Sequence, residues 1–147
     1  MKIRFIIEKI EKKKADLSTG TLYFMNDLGE EILRYPAVSG GWGRGMLEVG
    51  NYVIRHASGP KEIASIKEKD AYSLFGFGWF ASLVPLFETI RDNLGLHPDG
   101  HVPGTLGCVG VIFKTLNENI YCWNTIRSAL DHGEIEFEVI QQLGRVS

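Results

Sequence analysis

Residues 21–40 read TLYFMNDLGEEILRYPAVSG, and this stretch decides the fold. Thr21 to Met25 is rich in β-branched and aromatic side chains, which suit a pleated, half-buried surface. Asn26-Asp27-Leu28-Gly29 carries turn chemistry, with Gly29 able to take positive φ at no steric cost. Glu31 to Ser39 supplies a return strand. A strand, a short turn and a second strand make a hairpin, and the first half of the chain reads as a β-meander built around it.

On the N-terminal side lies MKIRFIIEKIEKKK, where Ile3, Phe5 and Ile7 alternate with Lys2, Arg4, Ile6 and Glu8. Period-two alternation predicts a first strand. The charges leave no uninterrupted apolar core and no small-residue cleavage site, so the stretch does not read as a signal peptide. Lys12-Lys13-Lys14 follows Glu11 and reads as a solvated turn rather than a binding patch.

On the C-terminal side, Gly40-Gly41-Trp42-Gly43-Arg44-Gly45 is a glycine-dense loop. LEVGNYVIRHAS then gives a third strand, with Gly50 at a bulge or turn. Residues 60–72 are charged and irregular, which predicts a loop or short helix. SLFGFGWFASLVPLFE, residues 73–88, predicts a strand or an extended segment lining a groove, with Pro85 limiting its regularity. VGVIF after Cys108 predicts a short buried strand. NENIYCWNTIRSALDHG, residues 117–133, predicts one helix, with Asn117 as N-cap, Ile120, Trp123, Ile126, Arg127 and Leu130 at helical spacing, and Gly133 as C′. EIEFEVI alternates strictly and predicts a closing strand. The expectation is a mainly β, mostly antiparallel domain with one late helix.

At 147 residues the chain is expected to form a single domain, residues 1–147, large enough for a proper core. A formal net charge of −2 argues against nucleic-acid or anionic-membrane binding, which usually needs a basic excess. No segment has the length of apolar sequence that spans a membrane. Two cysteines, Cys108 and Cys122, make no disulfide framework, and Cys122 beside Trp123 reads as a buried apolar residue.

HPDGHVPGTLGC, residues 97–108, has a composition that suits neither a helix nor a regular strand, so an irregular loop is expected there. It holds a base and a nucleophile eleven residues apart. A thiol attacks when a base removes its proton and backbone N–H groups receive the oxyanion. Gly107 beside Cys108 lets main chain pack against the sulfur. His97-Pro98-Asp99-Gly100 predicts a tight turn, with Pro98 fixing φ and a neighbouring backbone carbonyl orienting the imidazole Nδ1–H. Read without further context, the same residues also fit a loop histidine bonded to backbone and a small buried thiol at a strand start. A third reading takes His97, His101 and Cys108 as zinc ligands. Pro98 and Gly100 disfavour the helix that would bring His-x3-His onto one face, and no further ligand completes a familiar set.

LHPDGHVPGTLGCVGV resembles the active-site signature of the L,D-transpeptidase (YkuD-like) catalytic domain family. In that family a histidine precedes a loop ending in Ser/Thr-His-Gly-Cys. His97 matches the upstream histidine, and Thr105, Gly107 and Cys108 match the end. Leu106 stands where the family has its second histidine, and the spacing from His97 to Cys108 is shorter than in the family at large. Both features are similar to a compact Ser/Thr-x-Gly-Cys branch that includes type VI secretion effectors and phage-encoded proteins. The hairpin, the GMLEVGNYVI segment and the late helix with its closing strand follow the family's order, so the resemblance covers about residues 18–142.

The resemblance implies an L,D-transpeptidase-like β-sandwich or partly open barrel, with the main helix after the cysteine. It implies a cofactor-free cysteine enzyme acting on peptidoglycan stem peptides, as an L,D-carboxypeptidase or an L,D-transpeptidase. His97, Pro98, Gly107 and Cys108 would carry catalysis. Arg91 would take a substrate carboxylate, with an ion pair to Asp92 or Glu88 as the competing reading. His101, Thr105, Trp79 and Tyr52 are the further substrate-binding candidates. Trp79, Phe77 and Phe80 read either as a groove wall or as aromatic core. Trp42 and Arg44 would lie in a loop near the groove. A substrate outside the cytoplasm implies delivery to the periplasm or cell wall, with delivery machinery or an immunity protein as partners. The alternative is a non-catalytic cell-wall or partner-binding module on the same fold.

Overall fold

The computed structural model describes residues 1–41, 45–100 and 105–144. The strands are β1 (Lys2–Glu11), β2 (Leu17–Met25), β3 (Glu31–Gly40), β4 (Gly50–Ser58), β5 (Ser73–Leu74), β6 (Phe77–Gly78), β7 (Phe80–Pro85), β8 (Gly95–Pro98), β9 (Thr105–Val111) and β10 (Ile135–Gln141). The helices are α1 (Pro60–Ala64) and α2 (Leu116–Leu130), with 3-10 turns at Lys12–Lys14 and Lys69–Tyr72.

Eight strands close into a barrel in the order β1-β10-β4-β7-β8-β9-β3-β2, and β5 and β6 form a separate small hairpin. The period-two pattern of β1 puts Ile3, Phe5 and Ile7 inside, fully buried, and leaves Lys2 and Arg4 half-buried outside. β10 does the same with Ile135, Phe137 and Val139. An eight-stranded barrel has an interior just wide enough for side chains to fill it. Leu22, Phe24, Ile54, Leu83, Leu96, Val109 and Val111 contribute to that filling, joined by Cys122, Trp123 and Ile126 of α2.

The domain is mainly β with one main helix, and the expected strands are present. The barrel is mostly antiparallel, as expected, with β1–β10 and β8–β9 as parallel pairs. Four local expectations are corrected. Residues 97–108 are not wholly irregular: His97 and Pro98 end β8, and Cys108 lies inside β9. Instead of a tight His-Pro-Asp-Gly turn, the ladder runs on past Pro98, with the Asp99 N–H donating to the Val111 carbonyl at 2.9 Å. The helix starts at Thr115, not Asn117. The Thr115 hydroxyl accepts from the Glu118 N–H at 3.1 Å, a Thr-x-x-Glu arrangement that outcompetes an asparagine two residues later. The helix ends at Asp131, so Gly133 lies one residue beyond C′.

Candidate functional site

The register of β8 and β9 builds the site. His97 pairs with Gly110, Leu96 with Val109 and Pro98 with Val111. Leu96, Val109 and Val111 belong to the core, so the alternate residues, His97, Cys108 and Gly110, take the outer face of the barrel wall. His97 and Cys108 are therefore diagonal neighbours on one face of the β8–β9 pair.

His97 is only 3% exposed. Its Nδ1 lies 2.7 Å from the Pro98 carbonyl oxygen, which can only accept, so the proton sits on Nδ1 and the lone pair on Nε2. A backbone carbonyl thus orients the ring, supplied by a strand end instead of a turn. Burial pushes the imidazole down to about 4, against the opposing pull of the Pro98 carbonyl. Phe80 stacks on the ring at 5.8 Å between centroids, and Tyr72 meets it edge-on at 4.9 Å.

Cys108 is 7% exposed, and burial pushes its thiol up to about 11, with the Gly95 backbone working the other way. Its sulfur is 3.7 Å from the Asn93 carbonyl oxygen. Burial also raises the Tyr72 phenol, and the neighbouring Cys108 adds to the rise. Around Cys108 the β3–β9 ladder breaks register: Val38 pairs with Gly110 but Gly40 with Thr105, two steps on one strand against five on the other. Bulges of this kind re-aim side chains beside functional sites. Ser39 lies in the break, buried. Its hydroxyl donates to the Cys108 carbonyl and accepts from the Leu47 N–H at 2.9 Å. Gly107, just before the thiol, has φ +85, a conformation an L side chain rarely adopts.

Arg91 comes to the same corner. Its Nη1 lies 3.7 Å from where a Cβ on Gly107 would stand. The guanidinium donates to the Met46 carbonyl, and its Nε is 3.8 Å from Glu48, which replaces the expected ion pair with Asp92 or Glu88. Two candidates belong elsewhere. Trp79 is fully buried, stacked on Trp123 at 5.9 Å, and walls no groove. Tyr52 is 1% exposed, donates its hydroxyl to the Glu48 carbonyl at 2.6 Å, and packs edge-on to Phe87 and Phe137. Both are apolar enough to be drawn into the barrel interior, with a polar tip satisfied there. Phe77 is half-buried against the core. His101, Trp42 and Arg44 lie outside the described residues, as does the side chain of Thr105, whose backbone opens β9.

Sequence reading missed Tyr72, Asn93, Gly95 and Ser39. Tyr72 sits in a charged stretch with no periodicity, and Ser39 looks like an ordinary strand end; only the register reveals either. Among the described residues no three histidine, cysteine or acidic side chains cluster as metal ligands. Among them also, no helix is long and apolar enough to cross a membrane. No protein-family model matches the chain, and no curated protein matches it.

Proposed function

We propose that this chain is a cysteine-dependent acyltransferase or hydrolase of peptidoglycan stem peptides, an L,D-carboxypeptidase or L,D-transpeptidase. The observation that carries the reading is the β8–β9 register, which sets His97 and Cys108 on one face with Nε2 of His97 free to take a proton. In the reaction Nε2 removes the thiol proton, and the sulfur attacks the carbonyl carbon at the L-centre of the diamino acid. Backbone N–H groups near Gly107 and Cys108 receive the oxyanion. The C–N bond to D-alanine then breaks, the proton passes from His97 to the leaving amine, and a thioester remains. Water resolves it as carboxypeptidase, an amine as transpeptidase. Arg91 beside Gly107 would hold a substrate carboxylate bidentately once its Met46 and Glu48 contacts rearrange.

The test is turnover of purified muropeptide tetrapeptides, with products identified by mass. Wild-type protein releases or exchanges D-alanine, and Cys108→Ala, folded by circular dichroism, does neither. Equal turnover by the two proteins overturns the reading. A second reading, a non-catalytic cell-wall or partner-binding module, is favoured by one observation: both side chains are buried and each is held in its neutral form. Muropeptide binding without turnover in the wild type selects it.

A further inference from the structure

The groups above His97 come from a segment that the acyl-transfer reading leaves without a task. The 3-10 turn Lys69–Tyr72 and the hairpin β5–β6 lie outside the barrel sheet. They are nevertheless tied down at both ends. Asn119 of α2 donates from Nδ2 to the carbonyls of Leu74 and Phe77, each at 2.9 Å. At the other end, a Cβ on Gly100 would stand 2.6 Å from the Asp70 carbonyl oxygen, so the turn rests directly on the chain just past His97. A Cβ on Gly95 would come within 2.1 Å of the Phe80 ring, so the ring lies flat on β8. Tyr72 and Phe80 brace each other edge to face at 5.3 Å, and both contact the imidazole.

We propose that Tyr72 is a positioning residue for His97: its ring and that of Phe80 form a clamp that holds the imidazole in one orientation on the face carrying Cys108. The clamp works with the Pro98 carbonyl. One hydrogen bond at Nδ1 leaves the ring free to tilt about it, and two aromatic rings, one parallel and one perpendicular, remove that freedom. Rings at these separations contribute through edge and stacking contacts as well as through water exclusion. Among the described residues, the ionisable groups on elements packed against the imidazole are Cys108 on β9, Asp99 just past β8, and Lys69, Asp70 and Tyr72 on the turn, with Glu68 at its start. Burial, not any of these charges, dominates the His97 shift.

The role of the clamp rests on the reading of His97 as the base for Cys108, and two measurements separate the two claims. First, the imidazole nitrogen shifts of His97 are followed by NMR in ¹⁵N-labelled full-length protein as pH is varied. Tyr72→Phe should keep the Nδ1–H tautomer and the wild-type midpoint. Tyr72→Leu should lose the single tautomer and raise the midpoint by about one unit or more toward that of an ordinary histidine. Unchanged tautomer and midpoint in Tyr72→Leu overturn the clamp. Second, the factor by which His97→Gln slows alkylation of Cys108 by iodoacetamide is compared in two backgrounds. With Tyr72 or Phe at position 72 the factor should be about 10-fold or more, and with Leu it should fall to about one. The same factor, well above one, in both backgrounds overturns the positioning role. No effect of His97→Gln even beside Tyr72 overturns the base, while the nitrogen shifts still decide the clamp. If Tyr72→Leu does not fold, Phe80→Leu takes its place with the same expectations.

Discussion

Asn119, near the N-terminal end of α2, accepts the indole N–H of Trp79 at 2.7 Å. Its amide N–H groups reach the β5–β6 hairpin, so one buried side chain joins helix, core and the cover over His97. Asn119→Ala should leave the Trp79 N–H buried without its partner and cost about 2–4 kcal/mol. Urea unfolding measures the loss. Amide exchange at residues 73–78 should quicken in the same variant, and unchanged exchange there would sever the hairpin from Asn119.

The depressed His97 gives a pH dependence of stability. The folded chain holds the ring near 4 against the usual 6.5 of a histidine, so the unfolded chain binds more protons between those values. Stability is therefore full above about pH 6.5 and falls as pH drops toward about 4, by about 3 kcal/mol in all. Carboxylates add their own slopes, so the readout is the difference between wild type and His97→Gln across this window. Parallel stability curves for the two proteins would show that His97 is not held neutral by burial.

Cys108 should be a reluctant nucleophile at rest. A thiol near 11 leaves little thiolate at neutral pH, so iodoacetamide should label it more slowly than it labels free cysteine. Labelling by His97→Gln should follow the thiol ionisation and climb only in strong base, and wild type should exceed it near neutrality. Cys122 is fully buried and should stay unlabelled until the protein unfolds, with Cys122→Ala costing on the order of 1 kcal/mol. Rapid labelling of Cys122 in folded protein would contradict its placement in the core.

Ser39 should matter out of proportion to its size. Ser39→Ala strips the Cys108 carbonyl and the Leu47 N–H of one partner each, which predicts a loss of about 1–3 kcal/mol. Because the carbonyl belongs to the cysteine itself, labelling of Cys108 should change as well. Stability lost with labelling unchanged would limit Ser39 to a structural tie.

The periodic parts of this chain were legible in the sequence. Ile3, Phe5 and Ile7, the Asn26–Gly29 turn and the alternation of residues 134–140 each carry a local signal of strand or turn. So were His97 and Cys108, whose residue types stand out on any loop. What escaped was pairing. Nothing near Lys2 announces that it will lie beside Glu136 in parallel, or near Leu96 that it will lie beside Val109. The β1–β10 partners are far apart in sequence, and in both pairs register is a property of the two strands together. Tyr52 was misplaced, and Trp79 left open between groove and core, for the same reason: an aromatic beside glycine or at a strand start is compatible with either until its neighbours are known. Tyr72 reaches His97 from a turn whose following hairpin is anchored by Asn119, forty-seven residues later.

The parallel seam between β1 and β10 governs how this barrel can be made. Arg4 meets Glu138 at 2.7 Å across that seam, a contact between residues 134 positions apart. On a ribosome, β1 emerges long before β10 and waits for that neighbour until every strand between them has been synthesised. Until then one flank can pair with β2, while the other flank presents open N–H and C=O groups beside Ile3, Phe5 and Ile7. Contacts so distant in sequence slow folding, and an open flank next to apolar side chains invites pairing with another nascent chain. The late strand β10 is therefore a kinetic latch, and a chain cut before Ile135 would carry two unsealed edges into solution.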